Sequence, residues 1–239
     1  MEYEGDNPPP LPNLKYKIEV GDSLIAPSPT KTGAIRDELI SQYRQAKARY
    51  LRAHLGGEKK KLEEEISGLK TQISLMTHGS SKVSGFDWAV ELAEVFANGG
   101  FDVVIANPPY VRQKLITHLK HRLQRIYPCV YTGTADLYCY FYARALEILS
   151  PGGMLAFISS NMWFRRNYGA KLRQHITENC QVHSITDFGE LPVFQTAATF
   201  PIIFIAQTAK KVNLSTIFTR VKSLKSPYPD VLAIIRENG

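Results

Sequence analysis

The chain has 239 residues, 44% of them hydrophobic and 21% charged, the balance of a globular protein with room for one sizeable domain or a domain carrying an insertion. No apolar run approaches the length of a membrane helix and no signal peptide is read at the N-terminus, and three scattered cysteines suit reduced thiols, so a cytoplasmic protein is expected. Twenty-nine basic residues against 22 acidic ones give a net charge of +7, which favours a polyanionic partner.

The first thirteen residues, "MEYEGDNPPPLPN", are proline-rich and polar and read as an arm. In "LKYKIEVGDSLI", Tyr16, Ile18 and Val20 alternate with charged residues, the pattern of a half-buried strand ending at Gly21-Asp22. From Ile35 the period changes. Ile35, Leu39, Tyr43, Ala46 and Tyr50 share one helical face, and after Gly56-Gly57 a second stripe runs Leu62, Ile66, Leu69, Ile73 and Met76. Such spacing predicts an antiparallel helical hairpin with a solvated charge run, "EKKKLEEE".

An α/β pattern follows. "FDWAVELAEVFANGG" reads as a helix stopped by glycines, and Val103-Val104-Ile105 as a fully buried strand. A basic amphipathic stretch, 111–127, precedes the helix "ADLYCYFYARALEIL", with "SPGG" as its stop. The strand "MLAFISS", the helix "GAKLRQHITEN", the strand "VHSITDF" and a last apolar strand, "FPIIFIAQ", complete the series. Alternation of this kind predicts a Rossmann-like, doubly wound, mostly parallel α/β sheet. Ligands of such sheets sit beyond the carboxyl ends of the strands. Asn107, Pro108, Pro109 and Tyr110 occupy one such end. Neither proline can donate a backbone hydrogen bond, and each restricts the residue before it, so the segment is stiff and rich in acceptors. Cys129, Cys139 and Cys180 are scattered and the histidines lack partner spacing, so no metal is assigned.

"FDVVIANPPYVRQ", "TGTADLYCYF", "LSPGGMLAFISSNMWF", "YGAKLRQHI" and "ITDFGELPVFQTAATFPIIFIA" together resemble the adenine-N6 DNA methyltransferases of the Eco57I-like, restriction–modification type. The resemblance covers about residues 84–208, with "NLKYKIEVGDSLI" added. It implies a methyltransferase fold, S-adenosylmethionine as methyl donor, and double-stranded DNA with a flipped adenine as partner, in a prokaryotic cytoplasm. The Asn107 side-chain oxygen and the Pro108 carbonyl would each accept one hydrogen of the target amine. Its lone pair could then be aimed at a methyl group, with the developing positive charge stabilised by two fixed dipoles. By the same resemblance Tyr110 stacks on the flipped base and Phe194 packs against its other face. Asp22 corresponds to the group that binds the adenine ring of the cofactor, and Asp136 is placed near the cofactor pocket. For Phe194 a core or turn role, and for both aspartates a turn or helix-capping role, compete with these. Arg112, Lys114, Lys120, Arg122 and Arg125 would follow the DNA backbone, a solvated helix face being the alternative.

Two features depart from the family. No G-x-G pattern follows a strand, and too few residues follow position 208 for a target-recognition domain. The expected organisation is an arm and one strand over 1–33, a hairpin insertion over 34–78, a catalytic portion over 79–209 and the start of a C-terminal region over 210–239. The sheet is expected to be N-terminally incomplete and the chain inactive alone. Its partner would be the remainder of the same polypeptide, with the glycine-rich loop and the recognition domain. The alternatives are a non-catalytic nucleic-acid-binding or subunit-interaction module on the same fold, and a glutamine-N5 or RNA methyltransferase.

Overall fold

The computed structural model describes residues 17–29, 33–78, 85–194, 200–208 and 215–225. The chain forms two compact units, one ending at Glu94 and the other beginning at Val95.

The first unit contains the hairpin. Helix α1 (Ala34–Arg52) and helix α2 (Gly56–His78) are joined by three residues. They are antiparallel: Arg49 pairs with Glu65 near the turn, while Arg36 Nε donates to Thr77 Oγ1 at 2.9 Å at the open end. The seam buries Tyr43, Ala46, Tyr50, Leu62, Ile66 and Ile73, as the heptad-like spacing predicts. Ile35 and Met76, expected on the same stripes, are exposed, because the seam ends one turn before them. Gly56-Gly57 opens α2 instead of forming the turn.

The hairpin is not a free-standing insertion over 34–78. Val90 and Ala93 belong to its core, and three of its cations reach the segment beyond residue 84. Arg36 Nη2 lies 2.5 Å from Asp87 Oδ2, Lys47 Nζ donates to the Glu91 carbonyl at 2.8 Å, and Lys70 Nζ is 2.6 Å from Glu91 Oε1. Buried carboxylates are tolerated only when paired in this way. The helix expected over 86–98 is two short ones, α3 (Trp88–Glu91) and α4 (Ala93–Ala97). Asp87 caps α3 by accepting from the Ala89 amide, and Leu92, at φ −122° and ψ 41°, breaks the run.

The strand expected around Ile18 and Val20 does not form. Residues 17–29 carry turns and bends, with Ile18 68% and Val20 94% exposed, and Tyr16 lies outside the described residues. Alternation makes a strand possible, but a strand needs a neighbour for its backbone groups. None is present here among the described residues.

The second unit is a five-stranded sheet in the order β1-β2-β4-β3-β5: β1 (Phe101–Ala106), β2 (Leu149–Ser160), β3 (Cys180–Asp187), β4 (Pro201–Thr208) and β5 (Ile217–Arg220). β1 pairs with β2, and β3 with β5, in parallel; β4 is antiparallel to both β2 and β3. All strands but β4 therefore share one direction. This is the mostly parallel α/β sheet that the alternation of strands and helices predicts. The strand "FPIIFIAQ" is not the last, since β5 completes the sheet beyond residue 209. Helix α6 (Tyr138–Ile148) runs straight into β2, so "SPGG" lies inside the strand, with Gly152 at φ 83°. Helix α8 (Ala170–Asn179) leads directly to β3. Tyr142, Phe157, Trp163 and Phe204 form an aromatic core, with centroids 4.8–5.6 Å apart in the contacting pairs, as such rings prefer.

β1 was expected to be fully buried. It is the edge strand among the described residues, with Val103 51% and Ile105 77% exposed. An uninterrupted apolar run marks a strand meant to be covered but does not say by what.

Candidate active site at the carboxyl ends of the strands

Because β1, β2, β3 and β5 share a direction, Asn107, Asn161, Phe188 and Val221 leave the sheet at one end, where β4 enters at Pro201. Three of the sequence-derived candidates lie along β1's exit. Asn107 is exposed, Pro108 buried, and Tyr110 half-buried. Neither the Asn107 side chain nor the Pro108 carbonyl takes a hydrogen bond from any described residue. The next carbonyl, that of Pro109, accepts from Val111 N at 3.0 Å. Two adjacent acceptors are thus open, the second on backbone whose φ is fixed by a proline ring and the first on a residue that the following proline holds extended.

Tyr110 is anchored by its hydroxyl, which donates to the Ile158 carbonyl on β2 at 3.3 Å. Burial pushes its phenol up to about 12, so it is a neutral ring throughout the ordinary pH range. Its ring centre lies 6.1 Å from Tyr138 and 6.4 Å from Phe194, the latter pair tilted by 57°. Tyr110 and Phe194 are therefore brought together from segments 84 residues apart. Tilted at this separation they already form an ordinary aromatic pair, so a flat ligand between them requires one ring to turn.

Asp136 does not cap α6, whose N-terminus has no side-chain cap. Its Oδ1 accepts from the Gln113 amide at 3.0 Å, and Leu137 N donates to the Val111 carbonyl at 2.9 Å. It thus clasps the backbone just past Tyr110. Asp22 lies in the first unit, where its Oδ1 accepts from the amides of Leu24 and Ile25 at 3.0 and 3.1 Å. That makes it a turn residue, not the end of a strand.

The basic stretch forms a short 3-10 turn (Thr117–Leu119) and helix α5 (Lys120–Ile126), pinned by the buried Ile116 and Leu123. Arg112, Lys114, Arg122 and Arg125 are exposed, as are His118 and His121; Lys120 is half-buried and donates to Gln113 Oε1 at 2.8 Å.

Sequence reasoning missed Asn161 and Asp187. Asn161, 2% exposed, donates from its backbone to the Phe200 carbonyl at 2.7 Å and from Nδ2 to Asp187 Oδ1 at 3.1 Å. The same Asp187 oxygen accepts from Gly189 N at 2.9 Å. Asn161 Oδ1 is buried without a partner among the described residues. One residue thus ties both ends of the 188–200 segment that carries Phe194, Phe200 through its backbone amide and Asp187 through its side chain. The only signal for it was a polar residue straight after an apolar strand, in "FISSN". Nothing local says that Asn161 meets Asp187, because β4 separates β2 from β3.

With this geometry in place, the comparison with known proteins is direct. Residues 34–194 match the Eco57I restriction-modification methylase family, and the chain belongs to that family. Type II methyltransferase M.BstVI of Geobacillus stearothermophilus is 37% identical over 129 residues, covering 52% of this chain and 23% of that protein. Type II methyltransferase M.XhoI of Xanthomonas vasicola is 38% identical over 112 residues, 46% of this chain and 20% of its own length. The Escherichia coli restriction enzyme and methyltransferase RM.Eco57I is 29% identical over 131 residues, 54% of this chain and 13% of its own. The chain spans less than a quarter of the length of these relatives. Among solved structures, a Listeria monocytogenes protein described as a class I S-adenosylmethionine-dependent methyltransferase is 22% identical with a TM-score of 0.47, over 58% of this chain and 42% of that one.

Proposed function

We propose that this chain carries the amine-holding part of a DNA methyltransferase acting on the N6 amine of adenine within a restriction–modification system. The observation that carries the proposal is the pair of open acceptors, Asn107 Oδ1 and the Pro108 carbonyl, beside Tyr110 and Phe194. An exocyclic amine has two N–H donors and a lone pair delocalised into its ring. Two fixed acceptors draw it toward a pyramidal geometry and stabilise the positive charge that develops as it attacks. The Pro108 carbonyl needs little reorganisation, because the double proline fixes its backbone, and the extended backbone that Pro108 imposes on Asn107 limits where the amide oxygen can lie. Tyr110, neutral and tethered to Ile158, offers one stacking face to an extruded base, and rotation of Phe194 opens the second.

S-adenosylmethionine would supply the methyl group. The described residues do not fit a complete site for it. The positive-φ glycines, Gly85, Gly99, Gly100, Gly152 and Gly189, form no glycine-rich loop after a strand, and Asp22 is occupied in its own turn. The proposal therefore assigns the cofactor cradle, and the target-recognition domain, to the remainder of a longer polypeptide, and expects this chain to be inactive alone. Double-stranded DNA is the proposed partner, with Arg112, Lys114, Lys120, Arg122 and Arg125 along its backbone, and the bacterial cytoplasm the proposed location.

The test uses the chain together with its flanking coding sequence, incubated with duplex DNA and S-adenosylmethionine. Mass spectrometry of the digested DNA should find N6-methyladenine. Asn107→Ala should lower its formation on the order of a hundredfold or more, the usual cost of removing one preorganised polar contact to the reacting group, with DNA affinity nearly unchanged. Methylated cytosine, or near-normal turnover in the variant, would sink the assignment.

A further inference from the structure

We propose that Arg165 and Arg220 form a phosphate clamp on the β3 side of the Phe194 segment, gripping the DNA strand from which the base is extruded. The inference rests on the DNA reading above and adds a second backbone contact to it, distinct from the basic stretch that follows Tyr110.

The two cations come from different elements, Arg165 beside the Asp187 carboxylate and Arg220 beside Gly189. Arg165 closes the short helix α7 (Met162–Arg165); its side chain is 59% exposed, with Nη2 3.8 Å from Asp187 Oδ2. Arg220, on the neighbouring strand, is the register partner of Asp187, and Val221 N donates to the Asp187 carbonyl at 2.9 Å. Its Nη2 lies 3.9 Å from the point where a side chain on Gly189 would begin. Arg220 is exposed and has no acidic partner among the described residues. Two guanidinium groups thus flank the first turn of the segment that leads to Phe194.

Asp187 does not neutralise them both. It is one buried carboxylate, with Oδ1 already accepting from Asn161 and Gly189, and it faces Arg165 only at the long distance above. Glu190 is the other acid on this turn, and exposed Arg166 and Lys222 add further positive charge in sequence. An exposed ion pair of this length contributes little to folding, so stability is a poor reason for Arg165 to sit there. The planar fork of an arginine suits a phosphate oxygen pair better than any other side chain does. Extruding a base swings its flanking phosphates out of the regular backbone, and the turn beside Phe194 is where they would pass.

The experiment is fluorescence anisotropy of this chain with a labelled duplex containing a mismatched, easily flipped adenine, repeated over a range of salt concentrations. The double variant R165Q/R220Q should lose on the order of tenfold in affinity near physiological salt. The slope of log affinity against log salt should fall by roughly two, at about 0.9 per phosphate contact. The double variant R165K/R220K should keep the slope, which separates charge from any effect on folding. An unchanged slope in R165Q/R220Q, with wild-type binding intact, would overturn the clamp and leave the DNA reading standing. Absence of salt-dependent binding by the wild-type chain would overturn both.

Discussion

Asn107 shows how much chemistry a short word can fix. The two prolines after it were legible as rigid because their constraint is covalent, acting whatever the surroundings. The partners of Tyr110 were less so: the resemblance paired it with Phe194, but its hydroxyl anchor, the Ile158 carbonyl, is set by strand order and no local pattern reveals it. The same burial that holds Tyr110 has a pH consequence. Its folded-state value of about 12 lies above the ordinary 10, so the folded chain binds that proton more tightly than the unfolded chain does. The associated stability is complete below pH 10 and is lost as pH rises through 12. Chemical denaturation of the wild type and Tyr110→Phe should give parallel stabilities from pH 6 to 9. Above pH 10 the wild type should lose stability relative to the variant.

At the scale of elements, helices were easier to read than strands. The hairpin seam follows from its spacing, since a helical face is defined by its own residues. The first expected strand failed for the opposite reason: alternation at Ile18 and Val20 names a face but no partner. β5 escaped notice because Ile217–Arg220 is too short to show a period. The junction between α7 and α8 depends on contact closeness that no periodicity encodes. A side chain on Gly169 would begin 1.9 Å from the Trp163 carbonyl, closer than any relaxation of a flexible tip could relieve. Gly169→Ala should therefore destabilise the second unit by roughly 1–3 kcal/mol, the usual cost of overpacking, and thermal unfolding followed by Trp163 fluorescence would show it. Wild-type stability in that variant would mean that this turn is looser than its contacts indicate.

For the whole molecule, the two compact units correct the boundaries suggested by composition. The hairpin and the 86–94 segment share a core, so the division falls near Glu94 instead of residue 78. Composition placed a boundary where helical periodicity stopped, whereas packing continues through Asp87 and Glu91, whose cationic partners lie on the hairpin. Among the described residues the second unit has an unpaired edge at β1, with Val103 and Ile105 exposed. Unpaired strand edges with apolar side chains are templates for association. Ile105→Lys should reduce concentration-dependent self-association of this chain in sedimentation velocity while leaving its far-ultraviolet circular dichroism unchanged. A variant that associates as the wild type does would locate the sticky surface elsewhere.

Pro108 and Pro109 also decide how this site can be watched. Neither has an amide proton, so hydrogen–deuterium exchange is blind at the two residues that set the site's rigidity. The first hydrogen-bonded amide after them is that of Val111, donated to the Pro109 carbonyl at 3.0 Å. Slower isotope uptake at Val111 when DNA is added would register closure around Asn107 without any label or substitution in the site.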